Sequence, residues 1–139
     1  MDSLTIETAL FDYREPKPHF INPNCFGEDF AAWLRARVSG FAAEGFEVSA
    51  PIQEDYGWGF WLSRVKDTFW VAISFLERLD GDAGAQWVVS VAYDPGLSII
   101  RRLFHKPDEA ALARIREALW GALRSTEGIR VVEEDEEER

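Results

Sequence analysis

Two consecutive runs, W-G-F-W-L-S-R-V from Trp58 to Val65 and T-F-W-V-A-I-S-F-L-E from Thr68 to Glu77, constrain the fold of this chain more than any other feature. Each alternates large apolar residues with small or polar ones, the period-two pattern of a strand with two unlike faces. Only Lys66-Asp67 separates them, so an antiparallel hairpin is expected, and a two-residue loop there makes Val65 face Thr68. That register sets Trp58 opposite Phe75, Phe60 opposite Ile73 and Leu62 opposite Val71 on one bulky apolar face. The other face then carries Gly59 opposite Ser74, Trp61 opposite Ala72 and Ser63 opposite Trp70, which is small residues plus two indoles.

The flanking sequence supplies the rest of a domain. Leu4 to Tyr13 reads as a first strand with Leu4, Ile6, Thr8 and Leu10 on one face. Pro16, Pro18 and Pro23 make 15–27 a loop, pinned by Phe20, Ile21 and Phe26. Phe30, Leu34, Val38, Phe41 and Ala42 recur at helical spacing and predict a helix over 28–44, with Glu28 and Asp29 in its first turn and Gly45 at its end. Phe46 to Ile52 is a second strand, and Gln86 to Tyr93 another, entered through a turn over 79–85 rich in Gly and Asp. Residues 97–106 read as irregular or briefly extended. A second helix opens at Pro107 or Asp108, carries the stripe Leu112, Ile115, Leu119, Ala122 and Leu123, and ends near Gly128, with a short strand from Ile129 to Val132. The order β-α-β-β-β-β-α-β predicts an α+β fold: a single, mostly antiparallel sheet of about five to six strands with two helices, forming one domain over 1–132, with an acidic disordered tail over 133–139.

Composition narrows the function classes. The formal charge of −10 includes six acids and one Arg over 133–139, so the tail carries −5 and the body the remaining −5. An acidic body repels phosphate backbones, which argues against a nucleic acid partner and for a protein with a basic surface. The N-terminus lacks the basic start and apolar stretch of a secretory signal, and the densest apolar run, Phe69 to Leu76, is far short of a bilayer span, so no membrane partner is expected. A single cysteine, Cys25, excludes an internal disulfide and suits a reducing compartment such as the cytoplasm. No cofactor is expected.

Glycine weakens a strand, and Gly57 and Gly59 point the same way as Trp61. Either a helix or neighbouring aromatic lies on that bare strip, or it is a shelf, edged by Trp61 and Trp70, that receives a ligand or partner. Glu54, Asp55 and Tyr56 adjoin it as binding candidates, but Glu54 and Asp55 face opposite sides of an extended chain and are poorly placed to share a proton. Cys25 with His19 or His105 permits a nucleophilic pair only on paper, the ligand spacing for a metal is missing, and Asp80 and Asp82 sit in a turn. Arg101, Arg102, His105 and Lys106 form a basic cluster ahead of the second helix and could bind an anion.

The stretch E-D-Y-G-W, Glu54 to Trp58, following the Gly45-Phe46 step after a helix, resembles the core of a group of small uncharacterised bacterial proteins with an E-D-aromatic-G-W motif. That resemblance implies a bacterial cytoplasmic protein and brings no activity with it. With no coherent catalytic set, the leading expectation is a non-enzymatic, tryptophan-rich binding module of the inhibitor, immunity or adaptor type. The alternatives are an anionic-ligand domain or modest enzyme with a pocket near Glu54, Asp55 and Tyr56, and a homodimer formed through the indoles.

Overall fold

The computed structural model describes residues 2–65, 67–96 and 103–135. Seven strands form one sheet: β1 (Asp2–Thr8), β2 (Glu47–Val48), β3 (Ile52–Glu54), β4 (Gly57–Arg64), β5 (Asp67–Arg78), β6 (Ala85–Tyr93) and β7 (Ile129–Asp135). Their order is β2-β4-β5-β6-β1-β7, with β3 also pairing with β4, and every pairing is antiparallel. Helix α1 (Glu28–Arg37) continues into a 3-10 helix (Ser39–Glu44), and α2 (Glu109–Ser125) precedes β7. The α+β class expected from the sequence is the class observed. The strand count is higher because the stretch 46–54 splits at Ala50-Pro51 into two short strands that share the outer side of β4.

Helices α1 and α2 lie on the bulky face. α1 buries Phe30, Ala31 and Leu34, and α2 buries Ala111, Ile115, Leu119, Trp120 and Leu123, largely at the four-residue spacing of a single helical stripe. Beneath them the sheet contributes Leu4, Ile6, Trp58, Phe60, Leu62, Phe69, Val71, Ile73, Trp87, Val89 and Val91 to one continuous core. Trp87 is its centre, meeting Phe30 edge-on at 5.4 Å and Phe75 at 5.5 Å. Gly45 ends the 3-10 helix in a left-handed conformation, φ 90°, that a residue with a Cβ rarely adopts.

Four expectations change. The central hairpin pairs Trp58 with Ile73, Phe60 with Val71, Leu62 with Phe69, Trp61 directly with Trp70 and Arg64 with Asp67. Asp67 is drawn out of the loop because its carboxylate, on a side chain 12% exposed, accepts the Asp108 backbone N–H at 3.2 Å and lies within reach of Arg64 and His105. A shift of two residues leaves every side chain on its expected face. The first strand stops at Thr8, whose hydroxyl bonds to the Gly128 carbonyl at 2.7 Å, and Leu10 beyond it is exposed. The Ile21 side chain is also exposed and the residue is tied down only through its backbone N–H, which donates to Gln53 Oε1 at 2.7 Å, whereas Phe26 is buried. Finally, β7 takes the backbone of 133–135, the first three residues of the acidic run, into the sheet. Residues 136–139 lie outside the described residues.

Candidate functional site

The face of the sheet away from the helices carries the site. Cross-strand partners share a face, so the register places Gly57, Gly59, Trp61 and Ser63 of β4 beside Thr68, Trp70 and Ala72 of β5, with Ser90 and Ala92 of β6 next in line. No described helix covers them. Gly57 and Gly59 nevertheless do not form an empty strip. A Cβ on Gly59 would overlap the six-membered ring of Trp70 and the Val71 carbonyl oxygen, and one on Gly57 would overlap the Ile73 carbonyl oxygen. At Gly59 the strip is therefore occupied by a neighbouring aromatic: the six-membered ring of Trp70 lies against it.

That contact builds a platform. The Trp70 indole N–H donates to the Tyr56 hydroxyl at 2.7 Å, which fixes the orientation of the ring. Trp61 packs against Trp70 with centroids 4.5 Å apart and planes 48° apart. Trp61 and Trp70 are half-buried and Tyr56 is exposed, so the three rings form an ordered aromatic surface open to solvent. Tyr56 reaches this position because Asp55-Tyr56 is the two-residue turn between β3 and β4, with Glu54 paired to Gly57.

Carboxylates flank the platform. Glu47 pairs with Ser63 and Glu54 with Gly57, so both lie on the platform's face, one beyond each end of the Trp61-Gly59 stretch. Both are exposed and neither has a cationic partner among the described residues. Along the outer edge, Arg35 of α1 donates to the carbonyls of Ser49 at 2.7 Å and Val48 at 3.0 Å, occupying acceptors that the edge strand would otherwise present. A cleft of about 610 Å³ opens there, lined by Arg35, Ala42, Phe46, Glu47, Val48 and Trp61 among others. Glu54, Asp55 and Tyr56 are not among the residues that line this cleft.

The remaining candidates disperse. Cys25 is buried, its thiol donating to the Asp55 carbonyl at 3.3 Å, and burial, with the Asp55 charge adding to it, pushes its pKa up, away from a thiolate nucleophile. His19 pairs instead with Glu28 at 2.6 Å. Of the basic cluster, Arg101 and Arg102 lie outside the described residues, Lys106 is exposed, and His105 is held by Asp67 at 3.2 Å. The N-terminus of α2 already has its anion: Asp108 caps the Ala111 N–H at 3.0 Å and pairs with Arg64 at 3.1 Å. Asp82 faces Arg14 in its turn at 3.7 Å. The roles of Glu47 and Arg35 are not legible in the sequence, because they depend on the long-range pairing of β2 with β4, which no local pattern announces. Among the described residues no helix is long and apolar enough to cross a membrane. Comparisons with family models, with curated proteins and with solved structures find no match to this chain.

Proposed function

We propose that the chain is a non-enzymatic protein-binding module of the inhibitor, immunity or adaptor type, holding a basic partner on the platform of Trp61, Trp70 and Tyr56. One observation carries this reading: α1 and α2 pack on the bulky face, which leaves two indoles and a tyrosine in a fixed arrangement toward solvent. Exposed aromatic clusters of this kind suit recognition, since a ring already locked in place loses little freedom on binding. The charge of −10 favours a basic partner through steering. The buried lone cysteine fits a reducing compartment such as a bacterial cytoplasm.

The test replaces Trp61 and Trp70 with Ala together. Recovery of the tagged protein from its native cell should lose a basic partner in the double variant while far-ultraviolet circular dichroism stays native. Retention of that partner, or global unfolding of the variant, counts against the reading. A second reading, a small anionic ligand, draws on Arg35 at the cleft beside Trp61, where two of its N–H groups are used by carbonyls and others remain. Thermal stabilisation by anionic metabolites that is lost in Arg35→Gln would favour it.

A further inference from the structure

The platform also indicates which side chain the partner presents. We infer that an arginine guanidinium is the anchoring group, stacked on the Trp70 and Trp61 indoles and paired with the Glu54 or Glu47 carboxylate; this rests on the protein-binding reading above. Three features converge on it. The indole faces are a surface on which a planar cation is attracted by the ring quadrupole, most strongly for tryptophan. Glu47 and Glu54, on the same face and at either end of the platform, have no cation of their own among the described residues. The chain's own arginines already use this geometry elsewhere: Arg14 over Tyr13 at 4.8 Å, Arg37 over Trp33 at 4.2 Å and Arg64 over Phe46 at 4.3 Å, whereas among the described residues none lies over Trp61 or Trp70.

Arginine is favoured over lysine because its fork meets a carboxylate with two parallel N–H groups while its plane lies on a ring. Arg35 borders the cleft on the helix side of Trp61, so its positive charge directs an incoming guanidinium toward the Trp70 and Glu54 side of the platform. The platform and its two carboxylates thus select for a flat cation, where a hydrophobic side chain would leave both acids unused.

The probe is a short blocked peptide with two arginines spaced by glycine, with lysine and citrulline versions of the same length, titrated against the full chain while the tryptophan indole N–H signals are followed by nuclear magnetic resonance. The arginine peptide should move the Trp61 and Trp70 signals and leave those of the buried Trp87 and Trp120 in place. The lysine peptide should bind several-fold more weakly, and the citrulline peptide, equally flat but uncharged, should give no response. Replacing Glu47 and Glu54 with Gln should weaken the arginine peptide about tenfold. Replacing Glu117 and Glu127, exposed and remote from the platform, should change the net charge equally and leave binding unaltered. Absence of any response, equal responses to arginine and citrulline, or equal losses from the two glutamate pairs would each overturn the inference. Those results leave the protein-binding reading standing if the Trp61 and Trp70 double variant still loses its partner; if it does not, both fall.

Discussion

At Gly59 a missing side chain sets the position of the half-buried Trp70 ring. The Trp70 ring rests where a Cβ would stand, and the Val71 carbonyl oxygen would overlap it as well, so a Cβ cannot be accommodated without cost. Gly59→Ala should displace Trp70, break its bond to the Tyr56 hydroxyl and destabilise the fold by about 1–3 kcal/mol, as overpacking does. Urea unfolding measures the loss, and the near-ultraviolet circular dichroism of the coupled Trp61 and Trp70 indoles should shrink with it. Gly121, in the middle of α2 with nothing within 4 Å of its Cβ position, provides the contrast. There Gly→Ala should stabilise by up to about 1 kcal/mol through helix propensity alone. Equal effects at the two sites would show that the Trp70 contact does not hold the platform. The sequence made Gly59 conspicuous, but both a covering ring and an empty shelf satisfied it, because which neighbour fills a strip depends on a rotamer and not on a pattern.

Among the elements, the N-terminus of α2 ties the central hairpin to the rest of the fold. Asp108 caps the helix and pairs with Arg64 of β4, while Asp67 at the start of β5 accepts the Asp108 backbone N–H. The bond from the Ala111 N–H, reinforced by Arg64, holds the Asp108 carboxyl below its ordinary range. A depressed carboxylate contributes stability above its unfolded pKa and loses that contribution as pH falls through the folded value. Asp108→Asn keeps a capping oxygen and removes the charge. The variant should melt below the wild type at neutral pH, and the two should converge as pH falls below about 4; thermal melts across that range decide it, and a difference that does not narrow in acid would refute the assignment. The same network explains the limit of the sequence reading of the hairpin. Period-two alternation sorted the faces of β4 and β5 correctly, and it is indifferent to a shift of two residues, so the pairing of Trp61 with Trp70 was settled by a contact between Asp67 and a helix start some forty residues away. Likewise Pro51 announced a strand end, but not that β2 and β3 both return to β4.

For the whole molecule, the balance between charge and exposed aromatic surface sets what it associates with. An open face bearing Trp61, Trp70 and Tyr56 could pair with its own copy, since a twofold contact would stack indoles on indoles. Against that, each copy brings a formal charge of −10, and such a contact would appose Glu47 and Glu54 with their own images. Exposed like charges a few ångströms apart repel by about 1 kcal/mol in water and more where water is excluded, and net charge far from zero keeps proteins apart. Self-association through this face is therefore opposed where binding to a cationic surface is assisted. Light scattering should give a monomer at low salt, with any dimer appearing only as salt screens the repulsion, and that dimer should vanish in the Trp61→Ala, Trp70→Ala variant. Association with the basic partner should show the opposite salt dependence, slowing as ionic strength rises. A stable dimer at low salt that survives loss of both indoles would place the self-contact elsewhere, at the β7 edge or on the helices, and would separate oligomerisation from the aromatic face.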